Sequence, residues 1–330
     1  MNVKSRRYII IGAGAIGGAI GGRLARAGRD TVLVARGEHL EALRIDGLIL
    51  AEPEGSQVLR IPAVRGPAEL ALTGSDVLVL TVKSQDTGAA LDTWANASVR
   101  GGGATSERLP LLCVQNGVEN ERLALRRFAS VYSACVWLPA IHLHPGHVAI
   151  QSAPIPGIFE LGRYPAGIDD FIGEVGRDFA DAGFLAHTRP DVLRWKYAKL
   201  VRNLANSIDA ALRPSVAADT LYDRAVAEAQ AVFAAAGIPV ASLDEEKERR
   251  ATLDTSRPVA GLEPAGFSSW QSLAKKSGTI EADYLNGEIV LLGRLHGVAT
   301  PVNAALQRIA NLAARSGAAP RSFSADEIGL

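Results

Sequence analysis

Cysteine is nearly absent: Cys113 and Cys135 are the only two in 330 residues, and both lie inside apolar runs. That excludes a disulfide framework and a cysteine-based metal site, and a reducing cytoplasm is the expected compartment. Net charge is absent as well, with 35 basic residues balanced by 35 acidic ones. No overall field draws such a chain toward nucleic acid or anionic lipid, so neither is expected as a partner. Long apolar runs are missing too, and none approaches the roughly 18 residues of a membrane span. The opening "MNVKSRRYIIIGAGAIGGAIGG" has the basic start of a signal peptide, but glycines interrupt its apolar stretch too soon. There is no internal repeat and no long low-complexity linker.

What is present is an apolar share of 48%, in a chain longer than one hydrophobic core usually serves, so two domains are expected. The first half alternates β-branched runs with helical patterns: "RYIII" then "AIGGAIGGRLARAG", "TVLVA" then "EHLEALRI", "DVLVLTV" then "TGAALDTWANA", "LPLLCVQN" then "VENERLALRRF". This alternation predicts an α/β domain, a Rossmann-type doubly wound sheet of parallel strands with helical crossovers. "GLILAEPEGSQVLRI" reads as an inserted hairpin, and "VYSACVWLPAIHLHPGHVAIQS" and "GIFELGRY" as later, partly antiparallel strands. Beyond Pro190 the pattern becomes long and helical, in "DVLRWKYAKLVRNLANSIDAAL", "LYDRAVAEAQAVFAAAG", "TIEADYLNGEIVLLGRLHG" and "VNAALQRIANLAARSG". The expected division is 1–188 for an NADP-binding Rossmann-type domain and 189–330 for an all-helical substrate and catalytic domain, with Pro190 opening its first helix.

At the first strand–helix junction stands Gly12-Ala13-Gly14-Ala15-Ile16-Gly17, a GxGxxG. Gly12 permits the tight turn, Gly14 admits a pyrophosphate to the backbone, and Gly17 lets helix and strand approach. The helix N-terminus offers its free N–H groups to the phosphates. Gly18, Gly21 and Gly22 read as close packing. Where an NAD site would place an acid after the second strand, the chain has Arg36, whose guanidinium suits a 2′-phosphate; NADPH/NADP+ is therefore the expected cofactor. Later strand ends present Lys83, Gln115 and Asn116 at the sheet edge where ligands bind. Lys199 and Asn203 are four residues apart in "WKYAKLVRN", hence on one helix face. A lysine beside a ketone oxygen supplies the proton and the positive charge that hydride reduction needs.

In order along nearly the whole chain, Gly12 to Gly17, Lys83, "QNG", "KLVRN", "SSWQ" and "EADYLNGEIVLLGRLHGVATPVN" resemble the ketopantoate reductase family, the 2-dehydropantoate 2-reductases. The resemblance implies a Rossmann domain followed by a helical domain, with NADPH and substrate between them. It implies that Lys199 is the catalytic lysine and that Asn203, Asn116, Ser207 and Ser269 are substrate contacts. Glu281 is implied as the acid that engages the lysine, the substrate or the cofactor, and a carboxylate there would keep the ammonium charged. Lys83, Arg36, Asn116 and the glycine loop are implied as cofactor contacts. Two positions depart from the family: Ser207 stands where a second substrate asparagine is common, preceded by Asn206, and Leu273 where an acid often follows the serine pair. Altered specificity is the expected consequence. The expectation is reduction of a small branched 2-oxo acid, ketopantoate to pantoate first. The alternatives are another 2-oxo acid or an imine, or an NADP(H)-sensing protein without turnover. A homodimer is left open.

Other stretches point elsewhere. "HLHPGH" carries His142, His144 and His147, but no acid or cysteine joins them and Pro145-Gly146 makes a turn, so no metal is expected. "DEEKERR" from Asp244 reads as a solvated face. Asn286-Gly287 would suggest a hairpin, yet helical periodicity on both sides overrules it, with Gly287 allowing close helix contact. Lys275 and Lys276 read as solvent-facing, and the tail "APRSFSADEIGL" as frayed.

Overall fold

Strands buried on both faces read as unbroken apolar runs, and "RYIII" becomes an interior strand of the larger sheet, flanked by neighbours on both sides. The computed structural model of the protein describes residues 6–142, 144–251 (residue 250 by its backbone only), 257, 259 and 266–328. Through their described residues, Met1–Gln115, Glu119–Leu193 and Asp244–Leu262 form one compact unit. Asn116–Val118, Arg194–Leu243 and Glu263–Leu330 form a second.

The first unit runs β1 (Arg7–Ile11), α1 (Ala15–Arg26), β2 (Asp30–Val34), α2 (Gly37–Ile45), β3 (Leu48–Glu52), β4 (Gly55–Leu59), β5 (Ala63–Val64), β6 (Asp76–Leu80), α3 (Thr87–Ala95), α4 (Thr105–Arg108), β7 (Leu111–Cys113), α5 (Asn120–Leu125), β8 (Val131–Trp137), β9 (Ala140–Ile141), β10 (His147–Ile150), β11 (Ile158–Arg163), α6 (Asp170–Asp181) and β12 (Leu185–Thr188). Eight strands make one sheet in the order β12-β11-β8-β7-β6-β1-β2-β5, parallel except where β11 meets β8. In register, Ile9 faces Val32 on one side and Leu78 on the other. Because successive side chains alternate, Tyr8 and Ile10 fill the core on one face while Ile9 and Ile11 fill the core on the other.

The predicted hairpin is present as β3–β4. Its wider setting was not visible from the sequence: β3 also pairs in parallel with β10, which pairs with β9, giving a second sheet of four strands. Helix α1 lies between the two sheets. A Cβ on Gly17 or Gly21 would strike Ile10 and Leu33 of the large sheet, whereas one on Gly18 or Gly22 would press on Val148, Leu48 and Leu50 of the small one. Residues 17, 18, 21 and 22 are two i,i+4 pairs on adjoining faces, so the glycine-rich run lets a helix fit between two sheets.

The second unit is helical: α7 (Val192–Asn203), α8 (Ala205–Ala211), α9 (Val216–Ala236), then, after an excursion, α11 (Ser268–Ala274), α12 (Asn286–His296) and α13 (Pro301–Ser316). The excursion holds α10 (Leu243–Ala251), which belongs to the first unit. Ser215 caps α9 by accepting from the Ala218 N–H at 3.2 Å, and Gly237 ends it at φ +64°. Two stretches read as single helices are broken. The first splits at Leu204 between α7 and α8; the second opens as a 3-10 turn, Glu281–Tyr284, before α12. No described helix is long and apolar enough to cross a membrane.

Two expectations fail. "DEEKERR" is not simply a solvated face, because Glu246 and Arg249 are buried and Arg249 forms an ion pair with Glu160 of β11. Periodicity cannot reveal that one arginine of a charged helix has a buried carboxylate waiting for it. The tail is not frayed through its described length. The Arg321 and Phe323 N–H groups donate to the carbonyls of Ala210 and Ala211 at 2.8 and 3.0 Å, and Ile328 is buried. These bonds, a further one from the Arg213 N–H to the Phe323 carbonyl at 2.9 Å, and the anchored Ile328 hold a segment whose composition alone suggests disorder. Lys275 and Lys276 are exposed as expected, and Leu273 packs in the helical core.

Candidate active site

In the first unit the site is built from backbone. After β1 the chain turns at Gly12, φ +106°, where a Cβ would lie 2.8 Å from Val82 Cγ1 and 2.9 Å from the Val82 nitrogen. The Gly12 and Ala13 N–H groups donate to the Val34 carbonyl at 3.2 and 2.9 Å, which pins the loop to β2. A side chain at Gly17 would collide with the Gly12 carbonyl and Thr81. Gly14 differs, since the nearest atom to a Cβ there would be His142 Nδ1 at 4.0 Å. The space above it is open, which is what backbone approach by a pyrophosphate requires. Gly14 caps α1 without a side-chain bond, and no acid stands in the first turn. The N–H groups of Ala15, Ile16 and Gly17 are therefore left for an anion, and the loop fits a dinucleotide.

Two histidines support this loop. His39 of α2 approaches the Ala13 carbonyl through Nε2 at 2.7 Å and receives the Gly146 N–H at Nδ1, 2.9 Å away. A ring nitrogen that accepts leaves the proton on the other, so Nε2–H donates to Ala13. His142 packs against His39 with ring centroids 4.2 Å apart and the ring planes tilted by 46°. Among the described residues no three His, Cys, Asp or Glu side chains gather as a metal set. His39 carried no sequence signal, because "GEHL" is an ordinary helix start.

Arg36 lies two residues beyond β2 as the N-cap of α2; its side chain is 86% exposed, with Asp86 Oδ2 3.5 Å from Nη2. Lys83 caps the short 3-10 turn Ser84–Asp86 that follows β6. Gln115 is buried just beyond β7.

In the second unit the site is built from side chains. Lys199 and Asn203 lie in the last half of α7, both half-buried, and the Nδ2 of Asn203 is buried with no hydrogen-bond partner among the described residues. Ser269 of α11 and Glu281 of the 3-10 turn are almost wholly buried. The "QNG" loop reaches that turn, since a Cβ on Gly117 would sit 3.0 Å from the Tyr284 carbonyl. Asn116 is thereby carried by a loop that packs on the segment bearing Glu281. Asn206 Nδ2 donates to Ser268 Oγ at 3.4 Å, joining α8 to the serine pair of α11.

Ser207 is placed differently from the other candidates. Its hydroxyl, 1% exposed, donates to Asn286 Oδ1 at 2.6 Å; Asn286 Nδ2 donates to Asn303 Oδ1 at 3.0 Å. Asn303 Nδ2 donates to Glu228 at 2.8 Å, and Glu228 in turn accepts the N–H groups of Val302 and Asn303 at the start of α13. Ser207 thus ends an interhelical network, and its hydroxyl proton is committed to Asn286. Asn303 and Glu228 were not singled out in the sequence, and Asn286 only as part of a hairpin-like pair, because amides in helical patterns look like surface.

Comparison with known proteins covers both units. The ketopantoate reductase PanE/ApbA family matches residues 8–166 and its C-terminal counterpart residues 191–314. A 2-dehydropantoate 2-reductase of Archaeoglobus fulgidus is 30% identical over 318 residues, 92% of this chain and 96% of its own. A crystal structure of a PanE/ApbA family ketopantoate reductase from Ralstonia eutropha is 27% identical, with a TM-score of 0.75 over 94% of this chain and 99% of that one. D-mandelate dehydrogenase, solved with NADH and anilino(oxo)acetate, has a TM-score of 0.76 at 22% identity over 94% and 99% of the two chains, a likeness of fold.

Proposed function

Since the chain belongs to the ketopantoate reductase family, we propose that it reduces a small branched 2-oxo acid with NADPH, 2-dehydropantoate to pantoate being the first candidate, in the supply of pantothenate and coenzyme A. Membership makes it an oxidoreductase that acts on a CH–OH group with a nicotinamide dinucleotide. The observation that carries the substrate side is the buried amide of Asn203, a donor with no acceptor among the described residues, one helical turn beyond Lys199. Buried donors are rarely left unmatched, and a substrate carbonyl or hydroxyl would complete this one.

The reduced nicotinamide, when bound, supplies a hydride to the carbonyl carbon. Lys199 gives its proton to the carbonyl oxygen as negative charge grows there, which converts ketone to alcohol with charge balanced. Asn203 and Asn116 hold the oxygen and the neighbouring hydroxyl, Ser269 holds the carboxylate, and Glu281 orients the lysine. The glycine loop holds the pyrophosphate, and Lys83 and Arg36 meet the cofactor. Arg36 favours NADPH over NADH because an exposed guanidinium stands where an NAD site carries an acid.

A second reading, reduction of a 2-oxo acid without the distal hydroxyl of ketopantoate, is favoured by Ser207, whose proton goes to Asn286. Steady-state oxidation of NADPH with ketopantoate and a panel of other 2-oxo acids separates the two. A dominant kcat/KM for ketopantoate is expected; a dominant value for a substrate lacking that hydroxyl selects the second reading, and tight NADPH binding without turnover on any 2-oxo acid defeats both.

A further inference from the structure

The loops after β6 and β7 carry Lys83 and Asn116. The two strands are neighbours in register, Leu80 opposite Cys113, and the last backbone bond between them is from the Val114 N–H to the Leu80 carbonyl at 3.0 Å. Beyond it the connection passes to side chains. Gln115 Nε2 donates to Thr87 Oγ1 at 3.0 Å, Thr87 Oγ1 donates to Asn120 Oδ1 at 2.7 Å, and Asn120 Nδ2 donates to Ser84 Oγ at 3.2 Å. All four residues are buried, Thr87 and Asn120 completely. The relay begins on the residue before Asn116 and ends on the residue after Lys83. Its two middle members are the first residues of α3 and α5. On the other side of Lys83, Thr81 Oγ1 donates to the Gly12 carbonyl at 2.8 Å, so the same strand end is also tied to the glycine loop.

We infer that Thr87 and Asn120 are positioning residues: a buried relay from Gln115 through both to Ser84 fixes the loop ends that present Lys83 and Asn116 to cofactor and substrate. The inference rests on the roles proposed above for those two residues. Simple helix packing would be served by apolar side chains at positions 87 and 120. Here a hydroxyl that accepts and donates at once stands between two amides, so loss of one member removes a hydrogen bond from each of its neighbours in a low-dielectric interior. The disturbance then appears at the loop ends, which have no further strand pairing to each other.

The test uses the full-length protein and three variants, with NADPH affinity measured by fluorescence and kcat and KM measured with the best 2-oxo acid. Thr87→Val keeps the shape and removes the hydroxyl; it is expected to raise the NADPH Kd and lower kcat, each by about tenfold, the equivalent of one buried hydrogen bond. Thr87→Ser restores the hydroxyl and is expected to return both values close to those of the unaltered protein. Ser84→Ala, which changes little volume, is expected to raise the Kd in the same direction should Thr87→Val fold poorly. Thr87→Val or Ser84→Ala with unaltered Kd and kcat, even at a lower melting temperature, would reduce the relay to scaffolding and overturn the inference. Failure of Thr87→Ser to rescue an impaired Thr87→Val does the same. The NADPH Kd judges the relay even when no 2-oxo acid is turned over, so its failure and that of the proposed reaction are told apart.

Discussion

On the proposed function, the first unit would address its ligand with main chain and the second with side chains. Gly12, Gly14 and Gly17 act by what they lack, each for a different reason: a positive φ, an open face and a close approach. Lys199, Asn203, Ser269 and Glu281 would act by what they carry, and they come from three separate elements. A backbone site is set by a short contiguous motif and tolerates few substitutions within it. A side-chain site depends on the interior that holds distant elements in register, which here includes the Ser207–Asn286–Asn303–Glu228 network.

The contrast is broken most directly at Lys199. Lys199→Ala is expected to lower kcat by about two to four orders of magnitude, the span of a lost general acid, while NADPH binds with unaltered affinity by fluorescence titration. Equal loss of both would mean that the lysine serves the cofactor. The converse variant is Gly12→Ala, which places a Cβ at φ +106° against Val82. It is expected to abolish NADPH binding and to cost about 1–3 kcal/mol of stability, read by calorimetry and titration.

Arg36→Ala sharpens the cofactor half. The NADPH KM is expected to rise about tenfold, as for one lost charge-assisted bond, with the NADH KM unchanged; a parallel rise for both would place the guanidinium on a part common to the two. In the helical half, Glu228→Ala removes the acceptor of two α13 N–H groups and of the Asn303 amide. About 1–2 kcal/mol should be lost, as at a strong helix cap, and thermal unfolding measures it. The smallest effect concerns His187, whose Nδ1 lies 3.0 Å from Arg249 Nη2 and accepts from it. Burial and the charge of Arg249 lower its pKa. The unfolded chain therefore binds the proton more readily, so stability falls as the pH drops through the ordinary histidine range and is fully present above it. His187→Gln should flatten that limb in melting temperatures taken between about pH 7 and pH 5.

The two halves also differ in how far they can be read from the sequence. The dinucleotide loop was legible because its requirements are steric and local: strand, GxGxxG and helix lie in one window, and the parallel sheet with helical crossovers follows from alternation. Lys199, Asn203, Ser269 and Glu281 were picked out through the resemblance, since a lysine four residues before an asparagine has no meaning by itself. His39 was missed because its partners are a carbonyl and an N–H from residues 26 and 107 positions away. Thr87 and Asn120 escaped for the same reason, being ordinary helix starts until the fold closes the loop between them. The β3–β10 pairing depends on strands nearly a hundred residues apart, a distance over which no periodicity speaks.

The buried Glu160 carries a further consequence. It receives Arg189 at 2.7 Å from the segment leading into α7, and Arg249 from α10, more than fifty residues later. A cut made after residue 188 would carry both guanidinium groups away with the helical fragment and leave the carboxylate in the other piece, buried and uncompensated. Neither half would be a self-sufficient product of proteolysis or gene fission. The chain is divided into two units in space without being divisible into two at any single peptide bond, and an exchange of domains between relatives would have to move Glu160, Arg189 and Arg249 together.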